Sequence, residues 1–134
     1  PLNIGGYKYN KKTKTFPVFI NYDKQENISD TTKYEDHFIS SNHLIAISKS
    51  GRSLESEDVQ NFLKATERGI DVQLFVRKNK DDKISKEFYY LGRMTATGQA
   101  REFIMQNTDK TAVEIEWILN TPVREDIYEY IINE

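Results

Sequence analysis

Side chains able to make or break bonds are few in this chain and poorly placed for it. There are two histidines, His37 and His43, and no cysteine. Without a thiolate partner or a His-x3-His spacing, no transition-metal site is expected. The Gly-x-Ser-x-Gly elbow of serine hydrolases is absent, and Gly51-Arg52-Ser53 is not a version of it. Ser48-Lys49-Ser50-Gly51 has the wrong residue order for a P-loop, and no Gly-x-Gly-x-x-Gly occurs. Asp81-Asp82-Lys83 resembles the acid-x-Lys of a metal-dependent nuclease strand, but it falls in the most polar turn, where carboxylates are solvated. Glu35 and Asp36 are adjacent, so on a strand they point to opposite faces and cannot act together on one bond. The chain therefore reads as non-catalytic, with no cofactor and no small-molecule substrate.

What the residues do suggest is binding. Basic side chains cluster at connections: Lys11, Lys12 and Lys14; Lys49 and Arg52; Lys78, Lys80, Lys83 and Lys86; Arg93 and Arg101. Each cluster adjoins an aromatic or apolar stretch. Cationic loops around a concave sheet suit phosphate contacts, while the sheet offers stacking surfaces. Lysine-rich turns also protect sheet edges in any soluble protein, so the pattern alone leaves both readings open.

The elements that must carry these groups follow from periodicity. Tyr7 and Tyr9, the basic turn Asn10–Lys14 and Thr15–Asn21 read as a hairpin, with Pro17 marking an edge or a bulge. Thr31–Ile39 alternates as a strand that puts Tyr34, Asp36 and Phe38 on one face. Leu44–Ser48 is a short buried strand leading into the basic loop Lys49–Ser53. Residues 56 to 68 read as one helix, capped by Ser56 and stopped at Gly69. Asp71–Lys78 and Glu87–Gly92 form a long hairpin, with Arg93–Gly98 as its continuation past a bend at Gly92. Residues 99–110 read as a mobile loop, Thr111–Leu119 as a late strand, and Val123–Ile131 as a short helix. About seven mostly antiparallel strands and two helices without βαβ alternation give one α+β domain, residues 1–134, built on a curved, barrel-like sheet.

Composition agrees with a folded domain. The 134 residues are 37% hydrophobic and 12% aromatic, with 21 acids against 19 bases. That balance excludes a basic tail protein and a highly charged disordered chain. No apolar run reaches the roughly 20 residues a spanning helix needs, so no membrane role is expected. The lack of cysteine fits a reducing compartment. Six acids and one base fall between Thr111 and Glu134, so that segment carries −5 and the rest +3. A basic face opposed to an acidic end would orient the domain towards an anionic partner.

The order Thr32-Lys33-Tyr34-Glu35-Asp36-His37-Phe38-Ile39-Ser40, Leu74-Phe75-Val76-Arg77, Leu91-Gly92 and Glu116-Trp117-Ile118-Leu119-Asn120-Thr121-Pro122 is specific in combination. It resembles the C-terminal target-recognition domain of SauUSI-like type IV, modification-dependent restriction enzymes, which carry phospholipase-D-type nuclease and helicase domains. The resemblance spans about Gly6 to Pro122. It implies an SRA-like, PUA-related fold that reads 5-methylcytosine or 5-hydroxymethylcytosine in double-stranded DNA by base flipping. It also implies a bacterial, cytoplasmic protein whose nuclease and helicase domains precede this one, consistent with a chain that starts at Pro1 rather than Met. One departure stands out. Where many relatives carry a Trp-containing run, this chain has Ile45-Ala46-Ile47-Ser48.

A flipped cytosine needs an aromatic wall, an acceptor for its N4 amino group and an apolar niche for the methyl group. Tyr34, Asp36 and Phe38 form the candidate modified-base pocket. Tyr34 and Phe38 could instead be core residues, and Asp36 could instead pair with Arg77. Lys49, Ser50, Arg52, Arg77, Lys78, Lys80 and Arg93 are the candidate contacts to the DNA backbone. A protein-docking domain without base readout is the alternative.

Overall fold

The computed structural model describes residues 6–22, 35–78, 87–106 and 108–133. Seven strands and three helices follow in chain order: β1 (Gly6–Tyr7), β2 (Thr15–Tyr22), β3 (His37–Ser40), β4 (His43–Ile47), α1 (Glu57–Leu63), α2 (Ala65–Arg68), β5 (Asp71–Lys78), β6 (Tyr89–Ile104), β7 (Thr111–Leu119) and α3 (Glu125–Ile132). They form one sheet in the order β1-β2-β5-β6-β7-β4-β3, antiparallel except for the β2–β5 pair. This is the mostly antiparallel α+β sheet the alternation predicts.

Two strands explain how the sheet curls. β6 is long enough to pair with β5 through its first half and with β7 through its second. Its register against β7 breaks between Ala96 and Ala100, where Gly98 adopts φ +101°. A bulge of this kind bends a strand and deepens its twist. On the other flank, β1 pairs with β2 only at Gly6↔Phe19 and Tyr7↔Val18, and the same register resumes at Asn10↔Thr15. Pro17 lies in the gap. It has no N–H to give, so the ladder lapses there.

The sheet curls without closing, and two tyrosine hydroxyls span the opening. The Tyr22 hydroxyl, at the end of β2, accepts from the Phe38 N–H of β3 at 3.4 Å. The Tyr7 hydroxyl of β1 accepts from the Lys49 N–H just beyond β4 at 3.0 Å. The core fills the concave side. Phe16, Val18 and Ile20 of β2 alternate inward, as do Val72, Leu74 and Val76 of β5 and Ile115, Trp117 and Leu119 of β7. Helix α1 adds Val59 and Phe62, and α3 adds Ile131. No helix among the described residues is long and apolar enough to cross a membrane.

Three local expectations are corrected. The predicted helix over 56–68 is two helices, broken at Lys64 (φ −110°, ψ 23°), which brings the helix count to three. Ser56 makes no side-chain cap bond, because its hydroxyl instead accepts from the Ser53 N–H at 2.9 Å. Gly69, at φ 70°, does end α2 as read, a left-handed position that glycine takes without steric cost. Residues 99–110 are not simply a loop, since β6 continues to Ile104. Its polar side chains Gln99, Arg101 and Glu102 line a solvent-facing surface, and β7 supplies the backbone partners. Finally, the strand predicted over 31–39 begins only at His37. Residues 31–34 lie outside the described residues, and Asp36 precedes the strand.

Candidate nucleic-acid interface

The seam between the two flanks of the sheet gathers four of the polar side chains that sequence alone singles out, Asp36, Lys49, Ser50 and Arg52. Asp36 stands at its β3 side. Its Oδ1 accepts from the Ile47 N–H at 2.7 Å, tying the entry of β3 to the end of β4. Burial pushes the carboxyl up to about 6, against the lowering effect of the Ile47 N–H. Glu35 raises it further and His37 opposes it. Asp36 thus bonds Ile47, while Arg77 donates through Nε to Asn21 at 2.9 Å and lies over the Phe88 ring at 4.8 Å. The alternative pairing of Asp36 with Arg77 is not what the two side chains do.

Phe38, two residues further along, packs against the core. Its ring lies 5.7 Å from those of Tyr22 and Tyr128. Tyr34, the third pocket candidate, lies outside the described residues, as does Lys80.

The Ile47 bond matters because the basic loop follows immediately. Ser48, Lys49, Ser50, Gly51 and Arg52 run from the end of β4 and hang on the start of β7. Ser48 N–H donates to the Val113 carbonyl (2.8 Å), and Gly51 N–H to the Thr111 carbonyl (2.7 Å). Gly51 turns the chain at φ +82°, a conformation that side chains with a Cβ rarely adopt. The result leaves Lys49 and Ser50 exposed at the rim. So Asp36, Lys49, Ser50 and Arg52 share one neighbourhood.

Arg52 is held from below. Its Nε donates to Asp58 Oδ2 at 2.8 Å, and the Tyr7 hydroxyl donates to the same oxygen at 2.7 Å. Burial alone would raise the Asp58 carboxyl, but the bonds from Tyr7 and Arg52 outweigh it and hold it below the usual carboxylate range. Burial raises the Tyr7 phenol. The Lys49 N–H opposes that rise and the Asp58 carboxylate adds to it. The ring itself packs edge-on against Phe16 (5.5 Å) and Phe62 (4.9 Å), and the Lys49 ammonium sits 4.7 Å above it. Tyr7 therefore latches the loop to α1. Tyr7→Phe should leave the Lys49 N–H without its partner and Asp58 with one donor fewer, at a cost of about 1–3 kcal/mol. Urea unfolding of the variant against the parent chain measures it.

Tyr7, Tyr22 and Asp58 were not singled out by sequence reasoning. Tyr7 and Asp58 stand 51 positions apart, and nothing in one sequence pairs them. Asp58 stands in the first turn of α1, where an acid also favours the positive end of the helix dipole.

The other backbone candidates stand elsewhere. Lys78 donates to the carbonyls of Tyr130 (2.7 Å) and Asn133 at the end of α3, with its ammonium 4.7 Å above the Tyr130 ring. Arg93 pairs with Asp71 at 3.2 Å, beside the β5–β6 ladder. Both histidines have partners as well. His43 Nε2 meets Glu116 Oε2 at 2.5 Å, and His37 Nδ1 meets the Glu35 carbonyl at 2.8 Å.

The fold has solved counterparts. The SUVH5 SRA domain in complex with hemi-methylated CG DNA superposes with a TM-score of 0.57 at 12% identity, covering 90% of this chain and 76% of that one. The same domain with methylated CHH DNA gives 0.55 at 12% identity, again over 90% and 76%. With fully methylated CG DNA it gives 0.53 at 11% identity, over 88% and 74%. At such identities the likeness establishes the fold, which is SRA-like as the sequence order implied. No curated protein sequence matches the chain. A family model described as "Domain of unknown function (DUF3427)" matches residues 1–131, and the chain belongs to that family.

Proposed function

We propose that this domain is a non-catalytic reader of methylated cytosine in double-stranded DNA. The base flips out of the stack and enters the seam at Asp36. The observation that carries the reading is the setting of that carboxylate. It is half-buried, its Oδ1 is fixed by the Ile47 N–H, and the cationic loop Lys49–Arg52 begins two residues beyond Ile47. A carboxylate taken out of water at the entrance of a basic surface is costly to keep unless it meets a donor. The N4 amino group of cytosine is such a donor, and Asp36 Oδ2 is the oxygen available to accept from it. Tyr34 and Phe38 flank Asp36 in sequence and would supply the aromatic walls. Lys49, Ser50 and Arg52 would meet the phosphates beside the flipped nucleotide.

The SRA-like fold supports this reading, because its solved counterparts were crystallised with methylated DNA. The resemblance to type IV restriction enzymes supports a wider role. In that role the domain directs a nuclease and helicase of the same chain, in a bacterial cytoplasm, to 5-methylcytosine or 5-hydroxymethylcytosine.

Equilibrium binding to matched duplexes carrying C, 5-methyl-C or 5-hydroxymethyl-C, over a series of salt concentrations, tests it. Tighter binding to a modified duplex, with a preference that survives added salt, is expected. Equal binding that fades with salt would reduce the function to non-specific affinity for DNA. No binding would favour a protein-docking domain.

A further inference from the structure

Beside the seam, on the far side of the Lys49–Arg52 loop from Asp36, lies an open cleft of about 650 Å³. One wall is the β1–β2 hairpin with Lys8 and Lys11, the other is the loop and the first turn of α1, and Tyr7 and Phe16 form its floor. We propose that this cleft is a phosphate-binding site that grips the backbone of a nucleic-acid strand next to the base pocket. The proposal rests on the nucleic-acid reading for the identity of its anion, but not on the reading of a modified base.

The charge arrangement points to an anion. Of the two acids on the cleft, Asp58 is already neutralised from within by Arg52 and by the Tyr7 hydroxyl. That leaves Lys8, Lys11 and Lys49 facing Glu57 alone. Among the described residues no carboxylate forms an ion pair with any of the three lysines. Three ammonium groups around one concavity repel one another, and a bound phosphate relieves that repulsion. The aromatic floor excludes water from one side, which strengthens the attraction. A cleft of this volume is larger than one phosphate needs and admits a sugar–phosphate segment. Arg52 and Tyr7 are positioning residues here, because they hold the loop that presents Lys49.

The division of labour is testable. Lys8 and Lys11 are exposed and contribute nothing to the core, so the double variant Lys8→Ala/Lys11→Ala should fold as the parent does. Its binding to a methylated duplex should weaken by tenfold or more at low salt. The slope of log K against log salt should become shallower by about 2, near 0.9 for each phosphate that is no longer neutralised. The ratio of affinities for methylated and unmethylated duplex should stay that of the parent. The matched variant Lys12→Ala/Lys64→Ala removes two exposed lysines outside the cleft and should change the slope far less. An equal drop in both variants, or an unchanged slope in the first, overturns the cleft.

If the parent chain binds no duplex at all, the nucleic-acid reading fails, and inorganic pyrophosphate decides the cleft by itself. Shifts of the Lys49, Gly51 and Arg52 amide resonances at millimolar pyrophosphate, abolished in Lys8→Ala/Lys11→Ala, would uphold an anion site. Unmoved resonances would overturn it.

Discussion

Asp36→Asn is expected to make the domain more stable at neutral pH while removing its preference for modified cytosine. Both effects come from one carboxylate. Folding moves its pKa from the ordinary range near 4 to about 6. The folded state thus binds the proton more tightly than the unfolded chain does. Its stabilising contribution is complete below the unfolded pKa, declines as pH rises from about 4 to about 6, and is absent above that window. The ionised form is therefore less stable than the protonated form by up to about 3 kcal/mol. Asparagine has no charge to bury, and its Oδ1 can still accept from the Ile47 N–H.

Urea unfolding should show the variant ahead of the parent at pH 7.5 and level with it near pH 4. For binding, the sign reverses. Asparagine presents Nδ2 where the base presents N4, so two donors face each other in place of a charge-assisted bond. Such a bond is worth about 1.5–3 kcal/mol, which corresponds to a loss of about 10- to 100-fold in preference for the modified duplex. In the parent chain the same preference should weaken as pH falls through about 6, because protonation removes the acceptor. A variant that is no more stable at pH 7.5, yet binds with undiminished preference, would show that Asp36 merely caps β4. Gain in stability with loss of function is the trade expected of a binding residue.

How far this site was legible in the sequence depends on the distance over which its parts interact. The alternation of β2, β5 and β7 is local, and it marked all three as strands; their inward faces carry Phe16, Leu74 and Trp117. Lys49, Ser50, Gly51 and Arg52 were legible as a cationic turn because glycine and basic residues mark such turns locally. Asp36 stood out by the residues around it, but its bond to Ile47 comes from strand pairing, which no local pattern reveals. The reach of β6 past Gly98 was missed for a related reason. Its second half is largely polar and exposed at most positions rather than alternate ones, so only its ladder with β7 makes it a strand. Lys78 and Arg93 looked like phosphate ligands by type alone. Folding supplied nearer acceptors, the carbonyls at the end of α3 and the carboxylate of Asp71. Tyr7 was read as a strand residue. Its hydroxyl became important only because the curled sheet brings β1 beside the end of β4.

Trp117→Ala should be the most damaging single change to stability, with a loss of about 3–5 kcal/mol. Since domains of this kind are typically stable by about 5–15 kcal/mol, the variant would be partly unfolded at modest urea concentrations. The indole is 1% exposed and sits on β7 between Leu44 of β4 and the small Ala96 of β6. Its ring meets Phe62 edge-on at 5.3 Å, and Phe62 in turn stacks on Phe16 at 4.2 Å and supports Tyr7. Truncation thus opens a cavity under the aromatic series that ends at the seam, so DNA binding would fall with folding rather than through any change in what touches the DNA. Trp117→Phe keeps most of the volume and should bind DNA nearly as the parent does. Because Trp117 is the only tryptophan, its emission reports on its surroundings directly. The native emission should be that of a buried indole, shift to the red on unfolding and stay unchanged when a methylated duplex is added. Strong quenching by the duplex would place the indole at the DNA surface and overturn its assignment to the core.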